Sequence, residues 1–279
     1  MAVTMSMRGG RAQGSTAWKR VGTSAVIIPL FVWAVLGASP WLFRVIVVAA
    51  ATAASWELLT MFERAGRPAY RNLGAVLAAA VTSSFLIPGA PVLALAAAAG
   101  IILSAPVWQR SVPAGDPVTV TLLALTYVAW LLGHALLLHG LPLGGALIVF
   151  LVGVTWAGES AAYLFGSLVG RHKLAPVISP GKTVEGSIAQ VLASVAAALP
   201  LAMWLLPGWT LVQTLMAGAL LGVVGQIGDL AESAIKRGVG AKDAGFIIPG
   251  HGGLLDRLDG LLFNTPVLFY YARLLGVGA

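Results

Sequence analysis

The residues best suited to chemistry cluster in one stretch of 31 residues, from Asp229 to Asp259. The 279-residue chain is only 10% charged, yet this stretch carries five of its ten carboxylates and four of its seventeen lysines and arginines. Asp229, Glu232 and Lys236 stand at i, i+3 and i+7, so a helix would place them on one face. Asp256 and Asp259 repeat the i, i+3 spacing. These residue types predict hard metal ions that hold a phosphorylated substrate.

A glycine-rich basic loop joins the two acidic segments. It holds six glycines between Gly238 and Gly253, and glycine lets a backbone approach a bulky anion closely. His251 lies in this loop without a second His or Cys at metal-binding spacing, so a zinc site is not indicated. His251 could contact a phosphate, carry a proton or have a purely structural role.

A second polar segment, residues 170–186, alternates basic residues with hydroxyls. Its prolines and glycines predict a non-helical middle. Lys182 could hold phosphate oxygens as a point charge, and Arg171 could do so as a planar fork. The alternative is a basic loop that contacts lipid headgroups.

Carboxylates also occur inside apolar runs, where a charged side chain costs at least ~2.5–3.5 kcal/mol on insertion scales. Glu159 is expected to face the bundle interior or a wet cavity, which makes it a site candidate. Glu57 lies near a predicted helix end, where it could simply snorkel or cap.

Asp229 and Glu232 lie near the end of another apolar run. Local pairing of Glu232 with Lys236 at i+4 would account for one carboxylate but would leave Asp229 without a partner. A cation that bridges Asp229 and the Asp256 region is therefore favoured over a buried salt bridge.

The composition predicts an all-α, polytopic integral membrane protein. The chain is 58% hydrophobic with a mean hydropathy of +0.91, and apolar runs of about 18 or more residues recur along it. The net charge of +7 indicates basic loops against anionic lipid headgroups rather than nucleic-acid binding. The absence of cysteine excludes disulfides, thiolate metal sites and cysteine nucleophiles.

About nine transmembrane helices are predicted, with short uncharged turns on one side and basic loops on the other. Fifteen of the seventeen lysines and arginines fall on one side, and only Arg44 and Arg273 fall on the other. The positive-inside rule places that side and the N-terminus in the cytoplasm and the C-terminus outside. The predicted spans are 21–37, 41–62, 73–88, 91–108, 119–139, 143–168, 187–206, 210–235 and 258–276.

The predicted organisation has three parts: a cytoplasmic tail over 1–20, N-terminal transmembrane helices over 21–140, and a catalytic transmembrane region over 141–279. The basic tail before the first apolar run could also be a secretory signal. Gly37-Ala38-Ser39-Pro40 is a poor cleavage site, however, so an uncleaved first helix is favoured.

The sequence from Ser233 to Asp259 resembles the signature of the phosphatidate cytidylyltransferases, also called CDP-diacylglycerol synthases. The similar positions are Ser233, Lys236, Arg237, Lys242, Asp243, Gly245, Pro249, His251, Gly252, Gly253, Leu254, Asp256, Arg257, Leu258 and Asp259. A second similar motif runs through Ser179, Pro180, Lys182, Thr183, Glu185 and Gly186. Two departures are Glu159, where the family usually has Asp, and Val184, where an aromatic residue is usual.

The resemblance implies transfer of CMP from CTP to phosphatidic acid, which gives CDP-diacylglycerol and pyrophosphate with Mg²⁺. It also implies a multi-pass enzyme of the inner membrane with its site at the cytoplasmic face. Two ions are expected, and the second could be monovalent.

By this resemblance, and from their depth and spacing, Asp229 and Asp256 are assigned as metal ligands. Secondary ligands or neighbours of the ions are Asp259, Asp243 and Glu232. The role of binding the phosphate groups of the substrates is assigned to Lys182, Lys236, Arg237 and Lys242. Further substrate contacts are assigned to Ser179, His251, Gly252, Gly253 and Arg257.

Alternatives remain open. The acceptor could be an isoprenoid or polyprenyl lipid phosphate. An ion or anion transporter would also carry intramembrane carboxylates, but no repeated halves are found. The mode of cytosine selection and a possible homodimer are not determined by the sequence.

Overall fold

The computed structural model describes residues 29–109, 115–245 and 252–277. They belong to two compact units, Met1–Phe43 and Arg44–Ala279. In the first unit, residues 29–36 form helix α1, and helix α2 begins at Pro40. The predicted tail and most of the first predicted span lie outside the described residues.

The second unit consists mainly of helices. Most of α2 belongs to this unit. A π-helical turn in the same unit separates α5 from α6. The bounds are α2 Pro40–Arg64, α3 Arg71–Ser84, α4 Ala90–Gln109, α5 Gly115–Ala124, π-helix Leu125–Trp130, α6 Leu131–His139, α7 Gly144–Val169, α8 Val184–Leu205, α9 Leu211–Gly238 and α10 Leu255–Leu274.

Within the described residues, six helical stretches are long and apolar enough to cross a bilayer. They are α2, α4, the continuous stretch Gly115–His139, α7, α8 and α9. Helix α3 has only 14 residues, and α10 carries Asp256, Arg257 and Asp259 in its first turns. The prediction of a helical integral membrane protein is confirmed, whereas the count of nine spans and the orientation of the termini remain predictions. The predicted domain boundary after residue 140, which also stays a prediction, falls in the turn between α6 and α7.

The second polar segment contains a β-hairpin, which the sequence analysis did not predict. Strand β1, Lys173–Ala175, pairs antiparallel with β2, Ser179–Thr183. Thr183 ends β2 and caps α8, because its hydroxyl accepts a hydrogen bond from the amide of Gly186 at 3.1 Å. The carboxylate of Glu185 accepts hydrogen bonds from the amides of Arg171 and His172. These contacts fix the hairpin against the start of α8.

A row of glycines on α9 brings α8 and α10 close to it. A methyl group at Gly218 would lie 2.8 Å from the Cα of Val195 on α8, and one at Gly222 would lie 2.9 Å from the Cα of Val191. Farther along, a methyl group at Gly228 would lie 2.6 Å from the carbonyl oxygen of Asp259 on α10. Small residues therefore allow the backbones to approach closely, and this approach places the acidic end of α9 beside the start of α10.

Candidate active site

Three carboxylates from two helices meet where α9 and α10 approach each other. One oxygen from each of Asp229, Glu232 and Asp259 lies within 4.8 Å of the others. Glu232 is fully buried, and its Oε1 atom has no hydrogen-bond partner among the described residues. Three neighbouring carboxylates repel one another, and oxygen ligands at this spacing suit a hard divalent cation. The donor set and the unsatisfied oxygen therefore fit a metal ion.

Lys236 links this acidic cluster to Asp256. Its Nζ atom lies 2.8 Å from Oε2 of Glu232 and 2.7 Å from Oδ1 of Asp256. The Asp256 carboxylate also accepts hydrogen bonds from the amides of Ala244 and Gly253, each at 3.0 Å. Burial acts to raise the pKa of Asp256, but these donors outweigh it and hold that pKa below its ordinary value.

The structure thus groups the predicted metal ligands differently from the sequence analysis. Asp229 was expected to share an ion with Asp256, whereas the cluster found among the described residues joins it to Glu232 and Asp259. Asp256 instead bonds to Lys236 and to two amides. Direct metal binding by Asp256 remains a prediction.

The expectation that Asp229 has no charged partner is wrong. Lys182, at the end of the β-hairpin, places its Nζ atom 2.6 Å from Oδ2 of Asp229. The local pair of Glu232 with Lys236 also forms. Spacing within one helix can reveal only partners on that helix, whereas this cation comes from a separate polar segment. The two polar segments therefore meet at one site.

Arg237 ties the same two segments together. Its Nε atom donates to the carbonyl oxygen of Ile178 at 3.2 Å, and its Nη1 atom donates to that of Ala241 at 2.8 Å. The guanidinium thus holds the hairpin against the end of α9, and phosphate binding by Arg237 stays a prediction.

A cavity of about 390 Å³ opens beside the Lys182–Asp229 pair. It lies between α7, the hairpin, α8 and α9. Its wall includes both charged and apolar groups, among them Glu159, Tyr163, Leu174, Ser179, Lys182, Ser187, Gln190, Gln226 and Asp229. A charged end and an apolar wall suit a molecule with a phosphate at one end.

Polar groups in this cavity went unnoticed in the sequence. The side-chain amide of Gln226 donates to the carbonyl oxygen of Ser187 at 2.9 Å, and the Ser187 hydroxyl donates to the Gln226 side chain. Gln190 is almost completely buried nearby. The available signal was the presence of amides inside apolar helices, where polar side chains need partners.

Glu159 and Glu57, the two carboxylates inside apolar runs that received no role from the sequence, both lie in the interior. Glu159 lines the cavity and lies against α10, since a methyl group at Gly260 would overlap its Oε1 atom. This position agrees with the expectation that Glu159 faces the bundle interior or a cavity, and its role in a site stays a prediction. Glu57 is 3% exposed and accepts a hydrogen bond from the amide of Leu255 at 2.9 Å. It caps a distant helix and does not snorkel.

Tyr127, in the π-helical turn, is another residue that the sequence analysis missed. Its ring is buried, and its hydroxyl has no hydrogen-bond partner among the described residues. The ring packs against Phe263 on α10, with 6.2 Å between the ring centroids. A π-turn often marks a functional site, but it cannot be recognised from the apolar pattern.

The remaining predicted residues are more peripheral. Lys242 and Asp243 are exposed in the loop after α9, and Arg257 is exposed in the first turn of α10. Gly252 has a φ of +82°, which favours glycine over other residues. His251 lies outside the described residues. None of these assignments is tested by the structure, and they stay predictions.

Comparison with known proteins gives a match to the family model "Cytidylyltransferase family" over residues 18–275. The uncharacterized protein YnbB of Escherichia coli K12 is 46% identical over 154 residues, which cover 55% of this chain and 51% of YnbB. A phosphatidate cytidylyltransferase of Staphylococcus epidermidis is 44% identical over 121 residues, which cover 43% of this chain and 46% of that protein.

A phosphatidate cytidylyltransferase of Staphylococcus aureus is 46% identical over 125 residues, with 41% of this chain and 44% of that protein covered. The chain spans about half the length of the curated relatives it matches.

Proposed function

The chain belongs to the cytidylyltransferase family, and we propose that it transfers CMP from CTP to phosphatidic acid. The products are CDP-diacylglycerol and pyrophosphate. The names of the staphylococcal relatives support this choice of acceptor. The observation that carries the proposal is the cluster of Asp229, Glu232 and Asp259 beside the Lys182–Asp229 pair.

The reaction brings together two anions, the triphosphate of CTP and the phosphate monoester of the lipid. Catalysis of such a transfer depends mainly on positioning and on neutralisation of charge, with no need for a protein nucleophile. The site has the required groups, because a carboxylate cluster that fits a cation stands next to Lys182 and Lys236. Neither an acidic cluster nor a basic loop alone would serve both needs.

In the proposed step, an oxygen of the lipid phosphate attacks the α-phosphorus of CTP. A new P–O bond forms, and the bond from the α-phosphorus to the oxygen that bridges it to the β-phosphorus breaks. The electron pair leaves with pyrophosphate. The second pKa of a phosphate monoester is about 6, so the attacking oxygen is largely deprotonated at neutral pH and needs no protein base.

We assign a Mg²⁺ site to Asp229, Glu232 and Asp259. A bound divalent ion would neutralise phosphoryl oxygens as a Lewis acid. Lys182 then has two proposed roles, because it pairs with Asp229 and also contacts a phosphate of the substrate. Lys236 keeps Glu232 and Asp256 in place. The proposal also includes a second ion, which could be divalent or monovalent.

The cavity provides space for the reactants beside these charges. Its apolar wall, which includes Tyr163 and Leu174, suits the glycerol end of a lipid whose acyl chains stay in the bilayer. Its side-chain amides, Gln190 and Gln226, are groups that can read the polar edge of a base. We place the site at the cytoplasmic face of the inner membrane, because CTP is a cytoplasmic substrate and most basic residues are predicted on that side.

The test is CMP transfer from labelled CTP by detergent-purified protein, with phosphatidic acid as acceptor and with Mg²⁺ present or removed by a chelator. We expect a labelled lipid that depends on both Mg²⁺ and phosphatidic acid. A parallel reaction with a polyprenyl phosphate distinguishes the alternative acceptor. Labelled product from the polyprenyl phosphate alone, or from neither lipid, would overturn the proposal.

A further inference from the structure

Glu57 is a buried carboxylate that the proposed reaction does not use. It lies on α2, 198 residues before its hydrogen-bond partner Leu255, and only 3% of its surface is exposed. A buried charge of this kind is costly unless hydrogen bonds compensate it. Among the described residues, the amide of Leu255 in the signature segment donates a hydrogen bond to this carboxylate.

The carboxylate of Glu57 supplies a cap that α10 lacks in its own sequence. Helix α10 begins at Leu255, and the preceding residue, Leu254, makes no side-chain capping bond. The amide of Leu255 is one of the donors that a helix N-terminus leaves unsatisfied. Glu57 accepts this hydrogen bond at 2.9 Å, and its negative charge is also favourable at the positive end of the helix dipole.

The same carboxylate occupies a cradle formed by two glycines. A methyl group at Gly245 would overlap Glu57, and a methyl group at Gly253 would lie 2.8 Å from Oε2 of Glu57. The same position at Gly253 is 2.9 Å from the amide nitrogen of Gly245. The two glycines therefore lie next to each other and both contact Glu57. A larger residue at either position would displace the Glu57 carboxylate.

From this cradle, contacts lead directly to the acidic cluster. The amide of Gly253 donates to Asp256, Asp256 pairs with Lys236, and Lys236 pairs with Glu232. Glu57 and Asp256 together accept hydrogen bonds from the amides of Leu255, Gly253 and Ala244. A shift of this backbone would move the start of α10, which carries Asp256 and Asp259.

We propose that Glu57 is a positioning residue whose buried carboxylate, seated between Gly245 and Gly253, holds the start of α10 against α9. In this proposal it acts through the backbone at the start of α10 and not on the substrates. Its effect on turnover rests on the proposed function, whereas its effect on the backbone does not. Both effects are therefore measured.

The first measurement compares Glu57→Ala with Glu57→Gln in CMP transfer, with turnover normalised to monodisperse protein. Glu57→Ala removes the acceptor for Leu255, and displacement of catalytic groups by about 1 Å can cost up to about 10²-fold. We expect kcat to fall at least about tenfold. Glu57→Gln keeps a carbonyl oxygen that can accept the bond and is expected to restore most of this loss. The control Glu63→Ala, on the same helix but in an ion pair with Arg71 near the surface, should stay within about twofold.

The second measurement is a double-mutant cycle between Glu57 and Gly245. Gly245→Ala is expected to lower kcat about tenfold, because the new methyl group pushes against the carboxylate. In the Glu57→Ala background the three closest contacts of the same methyl group are removed, so the double variant should be no worse than Glu57→Ala alone. Gly238→Ala is the matched control, since a methyl group there meets no atom within 4 Å. Losses that multiply independently would contradict the proposed cradle.

The third measurement is hydrogen–deuterium exchange of the full-length protein in detergent, which needs no turnover. Glu57→Ala should accelerate exchange at the amides of Ala244, Gly253 and Leu255 by about tenfold or more, whereas Glu63→Ala should leave them unchanged. If Glu57→Ala accelerates exchange but the wild-type protein shows no CMP transfer, the positioning role is retained and the proposed function is rejected. Unchanged exchange would overturn the positioning role, whatever the activity of the wild-type protein.

Discussion

The ion pairs of the N-terminal helices differ from those of the α7–α10 bundle. Arg67, in the segment between α2 and α3, pairs with Asp116 on α5, and 42% and 48% of the two side-chain surfaces remain exposed. In the bundle, Lys236 pairs with Glu232 and Asp256, and the three side chains are 11%, 1% and 14% exposed. Both regions use the same residue types, but only the second removes them from water.

This difference separates structural charge from functional charge. An exposed pair contributes little to stability because water screens it. For a buried pair, the free-energy cost of removing both charges from water can exceed the gain from their attraction. Stability alone is therefore a poor reason to retain such a pair. The buried charges of the bundle lie next to a carboxylate cluster and a cavity. The proposed active site gives a reason to retain these buried charges that stability alone does not give.

The largest expected effect comes from the carboxylate cluster itself. Asp259→Asn and Asp229→Asn each remove a charged oxygen ligand, and we expect turnover to fall about 10²-fold or more. Membrane insertion and monodispersity should be retained, as size-exclusion chromatography in detergent will show. Wild-type-like turnover in either variant would remove the metal assignment. The same measurement on Asp256→Asn tests whether this residue is also required.

Removal of Lys236 should damage stability as well as turnover. Lys236→Met leaves Glu232 and Asp256 buried without their cation, and breaking a buried ion pair in this way typically costs about 3–5 kcal/mol. The measurement is the thermal unfolding midpoint in detergent, with Lys173→Met as the exposed-lysine control. An unchanged midpoint for Lys236→Met would mean that the bundle charges are solvated like those of the N-terminal helices.

A smaller and more selective effect is expected at Lys182. Because Lys182 pairs with Asp229 at the mouth of the cavity, Lys182→Ala should raise the KM for CTP about tenfold while the protein stays folded. Lys173→Ala, in the paired strand of the hairpin but exposed, provides the control. Equal CTP dependence in the two variants would argue against a role of Lys182 in phosphate binding.

The smallest effect is expected at the exposed pair. Arg67→Met breaks its contact with Asp116 but leaves both positions solvated, so turnover should change less than about twofold. The ratio of the turnover of Arg67→Met to that of the wild type should be the same at low and at high salt. A loss comparable to that of Lys182→Ala would show that the N-terminal charges also serve the reaction, and the contrast between the regions would fail.

Much of the helical architecture was predictable because apolar length and turn residues are local properties. The predicted span 210–235 corresponds to α9, Leu211–Gly238, and the span 143–168 to α7, Gly144–Val169. The β-hairpin was missed because its strands are only three and five residues long. Such short strands have no clear alternating pattern, and their pairing depends on contacts with α8.

The candidate site was predictable in its residue types but not in its pairings. The spacing of Asp229 and Glu232 on one helix face follows from helical geometry alone. The bond from Glu57 to Leu255 joins residues 198 positions apart, and no periodicity links such distant positions. The assignment of Asp256 as a partner of Asp229 had the same weakness, because the choice between Asp256 and Asp259 depends on how α10 packs against α9.

The sequence by itself determined which segments are apolar enough for a membrane and which two polar segments hold the candidate site residues. Both depend on composition and on spacing within a single element. Only the tertiary structure decided that Lys182 meets Asp229, that Asp259 joins the carboxylate cluster, and that Glu57 caps α10. These pairings arise where glycine-lined helices approach closely, and that approach is a property of the packed chain and not of any one segment.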